Sequence, residues 1–355
     1  MKTISIILLV ILMSIMGMYL LSCDDNPTKP VSVKDYPVYF IEHYGKLFTY
    51  HPVTQILDSA DLPIVVDDQS WVVVSADGEK LYVGENTSIY VFESGTLNYI
   101  TEIPYFSRNP VVMSPDNNLM AVEEADLVIL NTDDYSVFYQ DTLGISNGTF
   151  TADSKRYIGI NTEGIPGIPR VYTLDLSVTP PTSYNRDFTE GGSIAHMSIT
   201  PDGNKWLMYI RLRTFLSAHV VYDVGLDSVM FVHYLSPGYG ASTSTRDGKY
   251  AIYGNPGRDY VVIGNDSLYL FDLENNRIDE VVQVTHSIDS VTPLFFLFGR
   301  SVVTPDNRWL IGANSTLGIN NAGWIVLYDL SKKKIVDFQE TNRDLFSNLT
   351  VQQMK

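Results

Sequence analysis

One short segment recurs six times along the chain, and it constrains the fold more than any other feature of the sequence. Each copy has an apolar stretch, a Ser or Thr, an Asp two positions later and a second apolar stretch, as in VVVSADGEKLYVG at 72–84. The six Asp residues are separated by 39, 37, 49, 45 and 59 residues. Self-similarity at such a period is typical of small modules arranged in an array. The six pairs are Ser75 and Asp77, Ser114 and Asp116, Thr151 and Asp153, Thr200 and Asp202, Thr245 and Asp247, and Thr304 and Asp306.

Each copy predicts a β-turn between two strands. An Asp followed by Gly, Asn or Ser can accept hydrogen bonds from the backbone N–H groups of a turn, and the following residue tolerates a positive φ. A carboxylate repeated once per module is therefore interpreted as a structural turn residue and not as a catalytic group or a calcium ligand.

A second pattern, an alternating apolar strand that ends in a polar residue, follows each turn. A seventh copy, KLFTYH at 46–51, precedes the first turn. Seven modules of four short strands predict an all-β fold, a seven-bladed β-propeller, with six blades and an N-terminal hairpin as the alternative. The first blade is expected to have strands near 37–42, 46–51 and 53–58, and to take its innermost strand from 346–352, which closes the ring. The other six copies of the strand end at Glu93, Asn131, Asp175, Asp223, Asp272 and Asp329.

The turn motif and the strand ending in Asp resemble the WD-like and YVTN-type repeats of bacterial β-propellers, across residues 37–352. The resemblance implies the fold and leaves the activity open. Propellers of related repeat type include lactonases and quinone-dependent dehydrogenases, and other propeller discs serve as scaffolds.

The N-terminus predicts an exported, lipid-anchored protein. Residues 1–22 read as a signal peptide with Lys2 before an apolar run, and this run is also long enough for a transmembrane anchor. The sequence Leu20-Leu21-Ser22-Cys23 resembles the lipobox of bacterial lipoproteins, which implies cleavage before Cys23 and acylation of this residue, with palmitate as one expected chain; the alternative is a chance cysteine. Residues 23–36 are expected to be the lipidated cysteine and a flexible tether, and 37–355 the propeller domain. The acidic pair after Cys23 resembles two different sorting signals, so the periplasmic face of the inner or outer membrane and the cell surface all stay open.

Charge and composition limit the partners. The chain has 24 Lys and Arg against 41 Asp and Glu, a net charge of −17, and loss of Lys2 with the signal peptide gives 23 − 41 = −18. Nucleic acid is therefore not an expected partner, whereas the membrane is, through the lipid anchor. The six His and single Cys show no spacing typical of a metal site, so no metal, no cofactor and no catalytic residue are predicted, and the protein is expected to be a monomer.

Candidate binding residues are expected around the mouth of the central channel, on the face opposite the repeated turns. Counting six residues back from each turn Asp gives the expected entrances of the innermost strands, and connecting loops add further Tyr, Arg and His residues. Such side chains suit recognition of a carboxylate, a sugar or a peptide; the alternative is that they are solvated loop residues and strand caps. The candidates are Trp71, Tyr105, Arg108, Asn147, Tyr184, Arg186, His196, His233, Tyr239, His286 and Arg300.

Two classes of function are consistent with these features. The first is a non-enzymatic binding or scaffolding module of the cell envelope, for a protein, peptide or glycan. The alternative is an envelope hydrolase or lactonase with its active site at the channel mouth. A cluster of His196, Arg300 and an acidic residue would favour the enzyme.

Overall fold

A computed structural model describes residues 34–42, 46–66, 70–85, 87–107, 109–124, 126–161, 170–188, 192–212, 217–235, 242–255, 267–283, 285–287, 293–295, 300–315, 323–341 and 350–351. Residues from Tyr36 onward form one compact unit. The predicted signal peptide, the predicted acylation site Cys23 and most of the predicted tether lie outside the described residues. Within the described part of the chain, no helix has the length and apolarity needed to cross a membrane.

The chain folds into seven four-stranded antiparallel sheets, which are the blades of a β-propeller, as the repeat predicts. Blade 1 contains β1 (Val38–Glu42), β2 (Lys46–His51) and β3 (Ile56–Asp61), with β30 (Thr350–Val351) as its innermost strand. Blade 2 contains β4 (Trp71–Val74), β5 (Lys80–Glu85), β6 (Ser88–Glu93) and β7 (Tyr99–Ile103). Blade 3 contains β8 (Val112–Met113), β9 (Leu119–Glu123), β10 (Leu127–Asn131) and β11 (Val137–Asp141).

The remaining blades follow in chain order. Blade 4 contains β12 (Ile145–Phe150), β13 (Arg156–Asn161), β14 (Arg170–Asp175) and β15 (Thr182–Asp187). Blade 5 contains β16 (Gly192–Ile199), β17 (Lys205–Leu212), β18 (Ser217–Asp223) and β19 (Ser228–Leu235). Blade 6 contains β20 (Ser242–Ser244), β21 (Tyr250–Asn255), β22 (Ser267–Asp272) and β23 (Arg277–Gln283), and a small hairpin of β24 (Thr285–Ser287) and β25 (Pro293–Phe295) follows it. Blade 7 contains β26 (Arg300–Val303), β27 (Trp309–Ser315), β28 (Gly323–Asp329) and β29 (Lys334–Thr341).

The two ends of the propeller domain close the ring. β30 pairs antiparallel with β1, with Val38 opposite Val351 and Tyr39 opposite Thr350. The expected closing strand is thus confirmed at 350–351, and the six-bladed alternative is wrong. The third strand of blade 1 lies at Ile56–Asp61 and not near 53–58, because residues 52–55 form the turn after β2.

The core lies in the layers between adjacent blades. One cluster of buried side chains joins blades 2 and 3, with Trp71, Tyr82 and Val91 packed on Met120 and Leu130. Another cluster joins blade 7 to blade 1. Because every blade covers the apolar face of the next one, no blade is expected to be stable alone.

The repeated turns have the conformation predicted for them. The residue after each turn Asp has a positive φ, and in every case it is Gly, Asn or Ser. In the first turn, the Asp77 carboxylate accepts hydrogen bonds from the Ser75 hydroxyl at 2.6 Å and from the Glu79 N–H at 3.0 Å. The Lys80 N–H in turn donates to the Ser75 hydroxyl at 2.9 Å. These Asp residues are therefore structural, as interpreted from the sequence.

Candidate functional site

A cavity of about 420 Å³ lies where the innermost strands of blades 3 to 7 end in their repeated turns. We call this side of the ring the turn face and the opposite side the entrance face. The innermost strands of a propeller surround its axis, so the cavity is the turn-face end of the central channel. Its wall is formed by Met113, Pro115, Thr149, Phe150, Ala152, Ile199, Thr200, Pro201, Ser244, Arg246, Asp247, Pro305 and Asn307.

Hydrogen bonds between neighbouring blades hold this wall in place. The Ala152 N–H of blade 4 donates to the Pro201 carbonyl of blade 5 at 2.9 Å. The Ser244 hydroxyl of blade 6 donates to the Ile199 carbonyl of blade 5 at 3.1 Å. The Arg246 N–H of blade 6 donates to the Asn307 side-chain oxygen of blade 7 at 2.5 Å. A ligand would therefore meet a wall whose backbone is already fixed, which lowers the entropic cost of binding.

The same type of link continues around the turn face beyond the cavity. The Ala76 N–H of blade 2 donates to the Asn117 side chain of blade 3 at 3.1 Å, and the Asp116 N–H donates to the Ser154 hydroxyl of blade 4 at 3.1 Å. Asn117, Ser154 and Asn307 are the positive-φ residues of their turns. The same position of the turn therefore serves both the turn conformation and the contact between blades.

Among the described residues of the cavity wall, Arg246 is the one cation. Arg246 is exposed to solvent. Burial lowers the pKa of the guanidinium, which stays charged at neutral pH because an arginine in a protein does not lose its proton. Asp247 also belongs to the wall, and its carboxylate accepts the Lys249 N–H of its own turn at 3.0 Å.

Two of the predicted mouth residues, Trp71 at the start of blade 2 and Tyr105 in the loop after it, pack in the core. Trp71 is 2% exposed, and its indole N–H donates to the Ser107 carbonyl at 2.8 Å. Tyr105 is half-buried and packs on the same apolar cluster. Trp71 therefore cannot contact a ligand in this conformation, because its ring is enclosed against Gly84, where an added Cβ would lie 2.0 Å from the indole.

Tyr184 and Arg186 lie on β15, the outermost strand of blade 4, and not in a loop at the channel mouth. Tyr184 is exposed. Arg186 donates to the Asp227 carboxylate at 2.7 Å and to the Tyr222 hydroxyl at 2.5 Å, and so braces blade 4 against blade 5. Both residues therefore lie at the outer edge of blade 4, and this position corrects the prediction that they surround the channel mouth.

The predicted His196 and His233 both belong to the layer between blades 5 and 6. Cross-strand pairing places His196 opposite Tyr209, Tyr209 opposite His219, and His219 opposite His233, one residue from each strand of blade 5. Directly opposite residues lie on the same side of a sheet, so these four form a row across the blade. His196 is four residues inside β16, and His233 is on the outermost strand β19, so neither occupies the expected entrance or loop.

Tyrosines of blade 6 pack on this row. The Tyr253 ring stacks on the His219 ring with centroids 4.3 Å apart, and the His233 Nδ1 lies 3.1 Å from the Tyr253 hydroxyl. Tyr269 stacks on Tyr253 at 5.1 Å and meets His233 edge-on at 4.9 Å. Burial lowers the pKa of His219 to about 3, helped by the nearby His196 and His233, and lowers the pKa of His196 to about 4. These histidines are therefore neutral packing groups at physiological pH.

Asn147 is exposed and has a φ of 51° in an irregularity of β12. The neighbouring Gly148 N–H donates at 2.6 Å to the carboxylate of Glu123, which is 1% exposed. The Tyr157 hydroxyl donates to the same carboxylate oxygen. Burial raises the pKa of Glu123, and the hydrogen bonds from Tyr157, Gly148 and Asn147 act against this effect. Glu123 thus joins blades 3 and 4, a role that sequence reasoning missed.

The remaining candidates are only partly described. Arg108 and Tyr239 lie outside the described residues. His286 is placed on β24, opposite Leu294, and Arg300 starts β26, opposite Ala313, without a described side chain. The expected cluster of His196, Arg300 and an acidic residue thus stays a prediction. Among the residues that can be described, no group of three or more His, Cys, Asp or Glu side chains is arranged to hold a metal ion.

Sequence reasoning also missed Arg246, although the repeat carries a signal for it. The position between the hydroxyl residue and the Asp of each turn is Ala or Pro in five copies, and in the sixth copy it is Arg. The residues at this position in blades 3 to 7 all line the cavity. A departure from the repeat at a position that faces the channel could therefore have identified the residue.

Comparisons with known proteins extend only to the fold. No protein-family model matches the chain. No curated protein matches its sequence either. Among solved structures, a protein from Bacteroides uniformis proposed to be a 6-phosphogluconolactonase is 13% identical, with a TM-score of 0.61, 89% of this chain and 99% of that chain covered. Citrobacter koseri AztD is 9% identical with a TM-score of 0.59, covering 90% of this chain and 98% of that one.

A third similar structure is the β-propeller domain of Myceliophteria thermophila Cps50 (Swd1), at 10% identity and a TM-score of 0.58. That match covers 78% of this chain and 86% of the other. At this level of identity the likeness shows the architecture alone. The chain is therefore a seven-bladed β-propeller.

Proposed function

We propose that this protein is a lipid-anchored component of the cell envelope whose propeller is a non-enzymatic binding module. The observation that carries the proposal is the turn-face cavity of about 420 Å³, which has the size of a small-ligand site. Its wall combines apolar side chains, three prolines and one guanidinium. These groups can enclose and orient a ligand, and the anchoring to the membrane follows from the lipobox-like sequence before Cys23.

The titratable groups described in the interior favour binding over catalysis. Glu123 accepts hydrogen bonds from blade 4, and His219 and His233 pack on tyrosines of blade 6. A general acid or base needs a side chain that can reach a substrate, whereas these groups face neighbouring blades. The lactonase alternative is supported by likeness of fold alone.

A pull-down from envelope extract tests the binding function. The full-length protein is purified from membranes in mild detergent, and the captured proteins and glycans are identified by mass spectrometry. Ala152→Trp fills the cavity from its wall, while Ala60→Trp places the same side chain on the exposed strand β3, away from the channel. We expect a partner that binds the wild type and Ala60→Trp but not Ala152→Trp. A partner bound equally by all three proteins would contradict the use of the cavity.

The anchor is tested separately. Cells expressing the wild type or Cys23→Ala are labelled with an alkyne analogue of palmitate and fractionated. We expect label in the wild type and its loss in the variant, because the variant has no Cys23 thiol to acylate. An unlabelled wild-type protein would contradict acylation at Cys23.

A further inference from the structure

We propose that the turn-face cavity binds a small carboxylate with an apolar stem, and that the Arg246 guanidinium is the group that holds the carboxylate. The inference rests on the proposed function, because it takes the cavity to be a binding site. It adds the chemical class of the ligand and the residue that recognises it.

The repeat shows that Arg246 is a departure from the architecture and not a part of it. Its position holds Ala76, Pro115, Ala152, Pro201 or Pro305 in the other turns, so the turn forms without a cationic side chain. The backbone N–H of Arg246 alone makes the contact with blade 7, through Asn307. The turn therefore does not require the Arg246 side chain. Its backbone is held in place by the hydrogen bond to Asn307.

The guanidinium also lacks the acidic partner that three of the other described arginines have. Arg170, Arg186 and Arg277 each have a carboxylate within 4.0 Å, at distances of 2.5, 2.7 and 3.9 Å. Within the described ranges, Arg246 has no carboxylate at salt-bridge distance. The protein has a net charge of −17. A cation on a cavity wall without an acidic partner is therefore a candidate site for an anionic ligand.

The turn that carries Arg246 is altered in a second way. In the other five turns the Ser or Thr hydroxyl donates to the turn Asp at 2.5 to 2.6 Å. In blade 6 the Thr245 hydroxyl makes no such bond to Asp247. It keeps a contact of 3.4 Å to the Tyr250 carbonyl, as the hydroxyls of Thr151, Thr200 and Thr304 do to the equivalent carbonyls in their turns, and the Asp247 carboxylate keeps its bond from the Lys249 N–H. Both changes occur in the one turn that places a cation in the cavity.

The wall suits a carboxylate better than a phosphate. A phosphate site normally offers several N–H donors or several cations. Here the N–H groups of Ala152 and Arg246 are engaged between blades, and those of Thr200 and Asn307 are engaged in their own turns. Pro115, Pro201 and Pro305 have no N–H, and the Asp247 carboxylate adds a negative charge. One guanidinium can pair with one carboxylate through two parallel hydrogen bonds.

The rest of the wall fits the stem of such a ligand. Met113, Phe150 and Ile199 provide apolar surface. The volume of about 420 Å³ corresponds to about 14 water molecules at ~30 Å³ each, which is room for a short hydrocarbon chain or one aromatic side chain beside the carboxylate. Such a carboxylate can come from a free organic acid or from the C-terminus of a peptide.

Isothermal titration calorimetry on the full-length protein in detergent tests the inference with matched probes. Hexanoate is compared with hexanamide, and N-acetyl-Gly-Gly-Phe with its C-terminal amide. Each pair shares one stem and differs in the charge. We expect each acid to bind at least tenfold more tightly than its amide, because only the acid can form a charged, doubly hydrogen-bonded pair with the guanidinium. The tighter of the two acids then identifies the free acid or the peptide terminus as the source.

Variants assign the effect to Arg246. Arg246→Gln should weaken each acid at least tenfold and leave the amides unchanged, and Arg246→Lys should fall between it and the wild type. Lys155→Gln is the matched control, because Lys155 is an exposed cation in the turn of blade 4 that does not line the cavity. Unfolding midpoints check that all variants remain folded.

Three results would overturn the inference: equal affinity for acid and amide, full affinity in Arg246→Gln, or no binding of either acid to the wild type. The last result would leave the proposed function standing if Ala152→Trp still loses a partner in the pull-down. If neither acid binds and Ala152→Trp also keeps every partner, the cavity is not a binding site.

Discussion

A single pair of side chains, repeated from blade to blade, explains most of the local structure. In the blade 5 turn, the Asp202 carboxylate accepts hydrogen bonds from the Thr200 hydroxyl at 2.5 Å and from the Asn204 N–H at 3.0 Å. The Asn204 side chain donates to its second oxygen at 3.0 Å. The carboxylate thus satisfies donors that the sharp turn would leave without partners, and this is why Asp recurs.

Asp202→Ala is expected to lower the free energy of unfolding by about 1–2 kcal/mol, because three hydrogen bonds to one carboxylate are lost while the turn stays partly solvated. Urea denaturation measures the change. Asp133→Ala, at an exposed site in the hairpin between β10 and β11, is the control and should stay within about 0.5 kcal/mol of the wild type. Equal effects of the two substitutions would contradict the structural role of the turn Asp.

At the scale of elements, the sequence pattern predicts where the strands lie, but it does not predict which side chains meet across them. The copies at 46–51, 88–93, 170–175 and 267–272 coincide with β2, β6, β14 and β22, because their alternating pattern directly reflects the two faces of a strand. Counting back from the turns fails for His196, since β16 is eight residues long and its pairing is irregular between Ile194 and His196. The row of His196, Tyr209, His219 and His233 depends on the register of four strands, which no local pattern reports.

This row predicts a loss of stability in mild acid. His219 has a pKa of about 3 in the folded protein and an ordinary value of 6.5, so between these values the unfolded chain binds a proton that the folded protein does not. The stability contributed by neutral His219 is complete above pH 6.5 and falls as the pH drops, by about 2 kcal/mol at pH 5. His196 and His233, whose pKa values are also lowered, act in the same direction. Glu123, whose raised pKa acts in the opposite direction, lies between blades 3 and 4.

Urea unfolding at pH 8, 7, 6 and 5 measures this loss in the wild type and in His219→Phe. Phe keeps a ring against Tyr253 but cannot titrate, so the variant should lose less stability between pH 7 and 5, even if it is less stable at pH 8. The two proteins should behave alike between pH 8 and 7, where histidine is neutral. An unchanged dependence on pH in the variant would contradict a buried, neutral His219.

At the scale of the whole molecule, the sequence predicts the ring and its closure but not the place of the cavity. The repeat predicts seven modules, and in the structure strands from both ends of the propeller domain share blade 1. The cavity arises from five blades together, through residues from Met113 to Asn307 that are far apart in the sequence. Its clearest sequence signal is one exception in the repeat, Arg246, whose meaning depends on knowing that this position faces the channel.

Closure of the ring predicts a global effect from a very short deletion. Removing 350–355 takes away β30, so that β1 loses its pairing and blade 1 exposes a strand edge beside blades 2 and 7. Because the apolar layers on both sides of blade 1 depend on its position, the melting temperature of the entire domain should fall by several degrees in one cooperative transition. Removing only 352–355 keeps the paired residues Thr350 and Val351 and should change the melting temperature far less. Equal melting temperatures for the wild type and both deletions would show that the ring does not depend on this strand for its closure.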